Sequence, residues 1–172
     1  MLARKAFGTA LAALLILALG AGTAADDHMQ EWQDEDFGLS FMLPKGFKEK
    51  ENTPEKFMAE SADGTFVFII VNWKDDSLTS QDAVCKALDA LAGLDVKEVQ
   101  AFEERNFDGG GKGYECLGTA NVGGTDVEFG VVAIIDPHSA RNMVAYTIYS
   151  AEIDGNLGSE REIIESIKLL RK

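Results

Sequence analysis

Two cysteines, two histidines, a glycine-rich run and two acidic stretches are the places in this chain where chemistry could reside. Cys85 and Cys116 are the only cysteines. An even count in an exported chain favours a disulfide, because that compartment is oxidising. Cys85 falls beside the apolar stripe of a predicted helix and Cys116 in mid-strand, where helix–sheet packing brings such residues within bridging distance. The bridge would stabilise the fold by roughly 3–4 kcal/mol. The alternative is two separate buried thiols, since free cysteine is itself commonly buried. No C-x-x-C and no clustered histidine completes a four-ligand metal site.

His28 lies in a polar lead and His138 in the turn Asp136-Pro-His-Ser139, so both read as solvated loop histidines outside any catalytic motif. No serine stands in G-x-S-x-G or S-x-x-K, which leaves nucleophilic catalysis without a signature. Gly109-Gly-Gly-Lys-Gly113 lacks Walker spacing and is followed by a strand, so it reads as a hairpin turn rather than a phosphate cradle. Residues 154–165 place oxygens at positions 1, 3, 7 and 12 of a calcium-loop register. Position 5 has no acid or amide and Ser159 replaces the required glycine, so a capping box, Ser159 to Glu162, is the simpler account. Asp75, Asp76 and Asp82 near Trp73 form the remaining catalytic candidate, that of a small-molecule hydrolase working through carboxylates. The same acids serve more simply as a turn and the charge complement of a helix amino terminus. No catalytic residue, cofactor site or metal site is assigned.

The elements that position these residues follow from periodicity. Phe37, Leu39, Phe41 and Leu43 alternate and predict a half-buried strand ended by Pro44-Lys45-Gly46. Residues 56–61 predict a second strand, Asp63-Gly64 a hairpin, and Phe66 to Val71 a strand buried on both faces. Thr79 to Asp82 has capping-box spacing, and Val84, Leu88, Leu91 and Ala92 recur at helical intervals up to Gly93. Strands are expected at 96–107, 112–121, 126–135 and 142–150, mostly paired in sequence. A closing helix is predicted to begin at a Ser159 cap, with Ile163, Ile164, Ile167 and Leu170 as its apolar stripe. The fold class is therefore α+β: a central, mostly antiparallel sheet flanked by two helices in an α/β/α sandwich.

The amino terminus sets the compartment. Arg4 and Lys5 precede an apolar run, Ala10 to Leu19, closed by small residues, which predicts a signal peptide over 1–25. The apolar core is shorter than the about 20 residues of a membrane span, and an uncleaved leader anchor is the alternative. A polar lead, 26–35, and one globular domain, 36–172, follow, placing the mature protein in the periplasm or outside the cell without stable membrane insertion. The full chain of 172 residues has 16 Lys+Arg, 29 Asp+Glu and a formal charge of −13, and losing Arg4 and Lys5 takes it to −15. That field repels phosphate backbones and excludes nucleic acid as a partner.

The run Phe37-Gly-Leu-Ser-Phe-Met-Leu-Pro-Lys-Gly-Phe47 resembles the opening strand of the PsbP-like superfamily, and the Ser166-Ile167 step resembles its last helix. The resemblance covers nearly all of the predicted mature chain and includes the bacterial periplasmic DcrB-type branch. Members are photosystem accessory proteins, a Ran-binding factor and periplasmic proteins, so it implies a non-catalytic accessory or binding protein with an unidentified protein or envelope partner. It carries over no catalytic residues.

Overall fold

The structure is a computed structural model that describes residues 28–73, 84, 87–89, 94–137, 142–152 and 156–170. Its strands are β1 (Met29–Asp34), β2 (Leu39–Pro44), β3 (Lys48–Thr53), β4 (Lys56–Glu60), β5 (Phe66–Trp73), β6 (Asp95–Phe107), β7 (Gly111–Val122), β8 (Thr125–Ile135), β9 (Asn142–Ser150) and β10 (Lys168–Leu169), with helix α1 (Asn156–Ser166) before the last. A seven-stranded sheet runs in the order β3-β4-β5-β9-β8-β7-β6, and a three-stranded sheet in the order β1-β2-β10. All the neighbouring strands are antiparallel. The mostly antiparallel α+β class expected from the alternation is what the chain forms.

Successive strand residues face opposite sides, so the large sheet builds two cores. Phe66, Phe68, Ile70, Val132, Ile134, Met143 and Ala145 face one side, where Leu39, Phe41 and Leu43 of β2 and Ile163, Ile164 and Ile167 meet them. Phe129, Val131, Ala133, Val144 and Tyr146 face the other, against helical residues Val84, Ala87 and Leu88. Of the helix expected over 79–93, residues 84 and 87–89 are helical and the others lie outside the described residues. On the first side the cover is α1 together with the three-stranded sheet, rather than a helix alone. Aromatic rings tie this side together: Phe41 and Phe57 meet at 5.2 Å and Trp32 meets Phe57 at 5.7 Å, both edge-on.

Several local expectations need correction. The polar lead contains β1, whose Trp32 pairs with Phe41. The strand over Phe66 to Val71 is fully buried on one face only; Val67, Ile69 and Val71 are half-buried. The closing helix starts at Asn156, so Ser159 sits inside it instead of capping it. That helix ends at Ser166, and Leu170 is 36% exposed, because the chain turns into β10 and leaves the stripe after Ile167. Ser166 explains the stop: its hydroxyl donates to Ile163 O at 2.6 Å and accepts the Met42 N–H at 2.8 Å, which fastens the helix end to β2. Among the described residues no helix is long and apolar enough to cross a membrane.

Candidate functional site

Two turns, 44–47 after β2 and 61–65 between β4 and β5, meet beside α1 and border an open cleft of about 200 Å³ lined by Lys45, Phe47, Ser61, Asp63, Phe66 and Ser159, among others. Gly46 adopts φ 97°, which lets the chain reverse after Pro44 and brings the Phe47 N–H to Pro44 O at 3.2 Å. Phe47 then packs edge-on against Phe66 at 5.4 Å, and Phe66 against Tyr149 at 5.1 Å, making an aromatic floor. The opposite wall is organised by Asp63. Its Oδ1 accepts the Ser61 hydroxyl at 2.6 Å, the Thr65 hydroxyl at 2.8 Å and the Thr65 N–H at 3.1 Å. Hydrogen bonds from Ser61 and then Thr65 favour the ionised form and hold Asp63 at about 2. It is an anchor for the turn, poorly matched to carrying a proton near neutral pH.

Beneath α1 lies a second polar group that the sequence did not reveal. Glu160 and Glu115 are 1% and 4% exposed. Thr147 Oγ1 donates to Glu160 Oε1 at 3.2 Å and accepts the Gly130 N–H at 3.0 Å. The glycine at position 130 makes room for this contact, because a Cβ there would run into Glu160 Oε1 where it now lies. Burial raises Glu160 to about 7, with repulsion from Glu115 adding to it. Burial likewise raises Glu115, against the opposing hydrogen bond from Arg105. Arg105 grips Glu115 and lies 3.6 Å from Glu103. Two buried carboxyls sharing one guanidinium favour retaining a proton near neutral pH. Both are closed off under α1, so their chemistry acts on the docking of that helix.

Cys116 is buried on β7 in the second core, whereas Cys85, Asp75, Asp76, Asp82, His138 and Asp154 lie outside the described residues. Trp73 ends β5 and packs against the second core. His28 is exposed yet sits 2.9 Å from Glu162 on α1, so it joins the lead to the helix instead of standing free in solvent. The run from Gly109 is a hairpin turn, with Gly109 and Gly110 at φ 87° and 89°. Leu169 of β10 occupies the space where a Gly109 side chain would go, which also closes the turn to a phosphate. The calcium register fails because 156–165 is helical, with Glu160 bonded to Thr147 and Glu165 to Arg161 at 2.8 Å. Among the described residues no group of three or more His, Cys, Asp or Glu side chains is placed to hold a metal.

Glu115 and Glu160 look like solvated acids in the sequence. The one local signal was Gly130 within the apolar run of β8, since a glycine inside a strand marks a close approach.

The large antiparallel sheet, with α1 and the β1–β2–β10 sheet over one face, is a PsbP-like fold. The chain is similar to cyanobacterial PsbP from Synechocystis, with 14% identity over 88% of this chain and 98% of that one and a TM-score of 0.54. It is also similar to the Ran-binding protein Mog1p of Saccharomyces cerevisiae, with 13% identity over 83% and 95% of the two chains and a TM-score of 0.57. No family model matches the chain, and no curated protein matches it.

Proposed function

We propose that this chain is a non-catalytic, exported accessory or binding protein whose partner is a protein or an envelope component. The observation that carries the reading is the geometry of the cleft: Asp63 Oδ1 accepts three hydrogen bonds that fix the 61–65 turn, and Phe47 packed on Phe66 forms an aromatic floor, so the recess is held in shape by its own side chains. Such a recess suits recognition by shape. The fold shared with a protein described as Ran-binding supports the same reading. The apolar run behind Arg4 and Lys5 supports export, cleavage within 22–26 and a periplasmic or secreted mature domain over 36–172. The full α/β/α sandwich, with a helix running over 79–93 on the second face, belongs to the same proposal.

The test pairs two assays on the leaderless protein, residues 26–172. It is expected to retain a discrete partner from envelope extract, with retention competed by free protein and weakened by Phe47→Ala at the cleft floor. It is expected to turn over nothing in a hydrolase substrate panel, with or without calcium. Reproducible turnover abolished by replacing Asp75, Asp76 or Asp82 would overturn the reading in favour of the hydrolase.

A further inference from the structure

The seven-stranded sheet is open, and its two edges are built differently. β3 is six residues long, charged at four of them, and broken by a register shift between Glu49 and Glu51. Those are the devices by which edge strands avoid pairing with strangers. β6 at the other edge has 13 residues. Its first half is blunted by register shifts between Val96 and Glu98 and between Val99 and Ala101. From Ala101 to Phe107 it pairs with β7 without a shift, so its outer side is a regular ladder with no strand neighbour among the described residues until Asp108, where β10 closes the edge through a parallel bridge with Lys168.

We infer that residues 101–107 of β6 are a docking edge for an extended basic segment of a partner protein, which adds to the sheet as an eighth strand. The main chain supplies hydrogen bonds in register, and the side chains supply selection. On one face Phe102 is half-buried and lies two residues from exposed Glu104, so an apolar residue and a cation spaced by two match it. On the other face Glu103 is 65% exposed; its carboxylate lies 3.6 Å from the Arg105 guanidinium, which is already held by Glu115, so it shares that cation and can still meet one from a partner. The cations of β6 are already engaged, Lys97 with Asp126 at 2.6 Å and Arg105 with Glu115. Glu104 faces no cation among the described residues. A second copy of the chain is a poor occupant, because it brings a formal charge of −13 against the same acids. The inference rests on the binding reading and narrows the chemistry of the partner.

The probe is a capped alternating Lys-Val heptapeptide, tested on the leaderless protein by amide hydrogen exchange. Exchange over 101–107 is expected to slow by about tenfold at saturating peptide while β3 is unchanged. The Glu-Val analogue and a Lys-Val peptide N-methylated at alternate residues should give no protection. Replacing the two exposed acids, Glu103→Lys with Glu104→Lys, is expected to exchange the preference for that of the Glu-Val peptide. Equal protection by the N-methylated peptide would show charge attraction without strand addition and overturn the proposal. Concentration-dependent protection without peptide, with a dimer in sedimentation, would assign the edge to a second copy and overturn it too. No protection by any peptide, while the protein still retains its envelope partner, would overturn the edge and leave the binding reading intact.

Discussion

Glu160 on α1 lies 3.2 Å from the Thr147 hydroxyl on β9, in a position 1% exposed, and this contact joins the helix to the sheet through a buried carboxyl. Folding raises the Glu160 carboxyl from 4.5 to about 7. Between those values the folded chain holds a proton that the unfolded chain has released, so stability falls as pH rises through that window. Below it both states are protonated and above it both are ionised, so the curve flattens at each end. Glu115, also raised, acts with the same sign. Asp63 and Asp126, both lowered, act with the opposite sign and below pH 4. Urea titrations should therefore show the protein roughly 1–3 kcal/mol more stable at pH 5 than at pH 7.5. Glu160→Gln should flatten most of that difference.

Gly130→Ala tests the same contact by volume. The new Cβ would meet Glu160 Oε1 and come within 2.6 Å of Thr147 Oγ1. Both groups are buried, so making room for the methyl displaces the Glu160 carboxyl from its bond with Thr147. A loss of about 2–4 kcal/mol is expected in denaturant unfolding, and wild-type stability would show that the helix does not seat on β8 in this way.

Gly109→Ala tests how the carboxyl end is tied in. Gly109 has φ 87°, and a Cβ there would lie 2.8 Å from Leu169 Cβ. The Leu169 N–H donates to Asp108 O at 2.9 Å, so the clash would push β10 off the turn. Strain and displacement together should cost about 2–3 kcal/mol, with amide exchange at 168–170 rising first.

Phe57→Ala should cost about 3–5 kcal/mol, because the ring sits among Trp32, Phe41 and Phe68 and is 1% exposed. Trp32 emission should shift to the red as water reaches the indole.

The pairing of Cys85 with Cys116 is settled by nonreducing peptide mapping of protein isolated from its native compartment. A joined peptide is expected, with Cys116 buried in the second core as its sheet partner. Two alkylated thiols in unreduced, denatured protein would reject it.

Strand alternation made much of this fold legible. Leu39, Phe41 and Leu43 announced β2, and glycine pairs at 109–110 and 123–124 marked turns whose positive φ values require them. β3 escaped because Lys48 to Thr53 has no apolar period; it is held as an edge by β4 rather than by burial. β10 escaped because two residues carry no period, and its partner β2 lies far away in the chain. Ser159 misplaced the helix start because capping-box spacing inside a helix looks the same as at its end. The buried carboxyls were illegible for a related reason: whether an acid is solvated depends on what packs over it, and Gly130 on β8 and Glu160 on α1 come together only in the folded chain.

Photocrosslinking from within the native envelope tests the binding account most directly. A photoreactive residue is placed at Glu104 on β6 and, as a control, at Glu51 on β3. A single discrete protein adduct from position 104, absent from position 51, is the expected result. Adducts from neither position, or the same adducts from both, would contradict it.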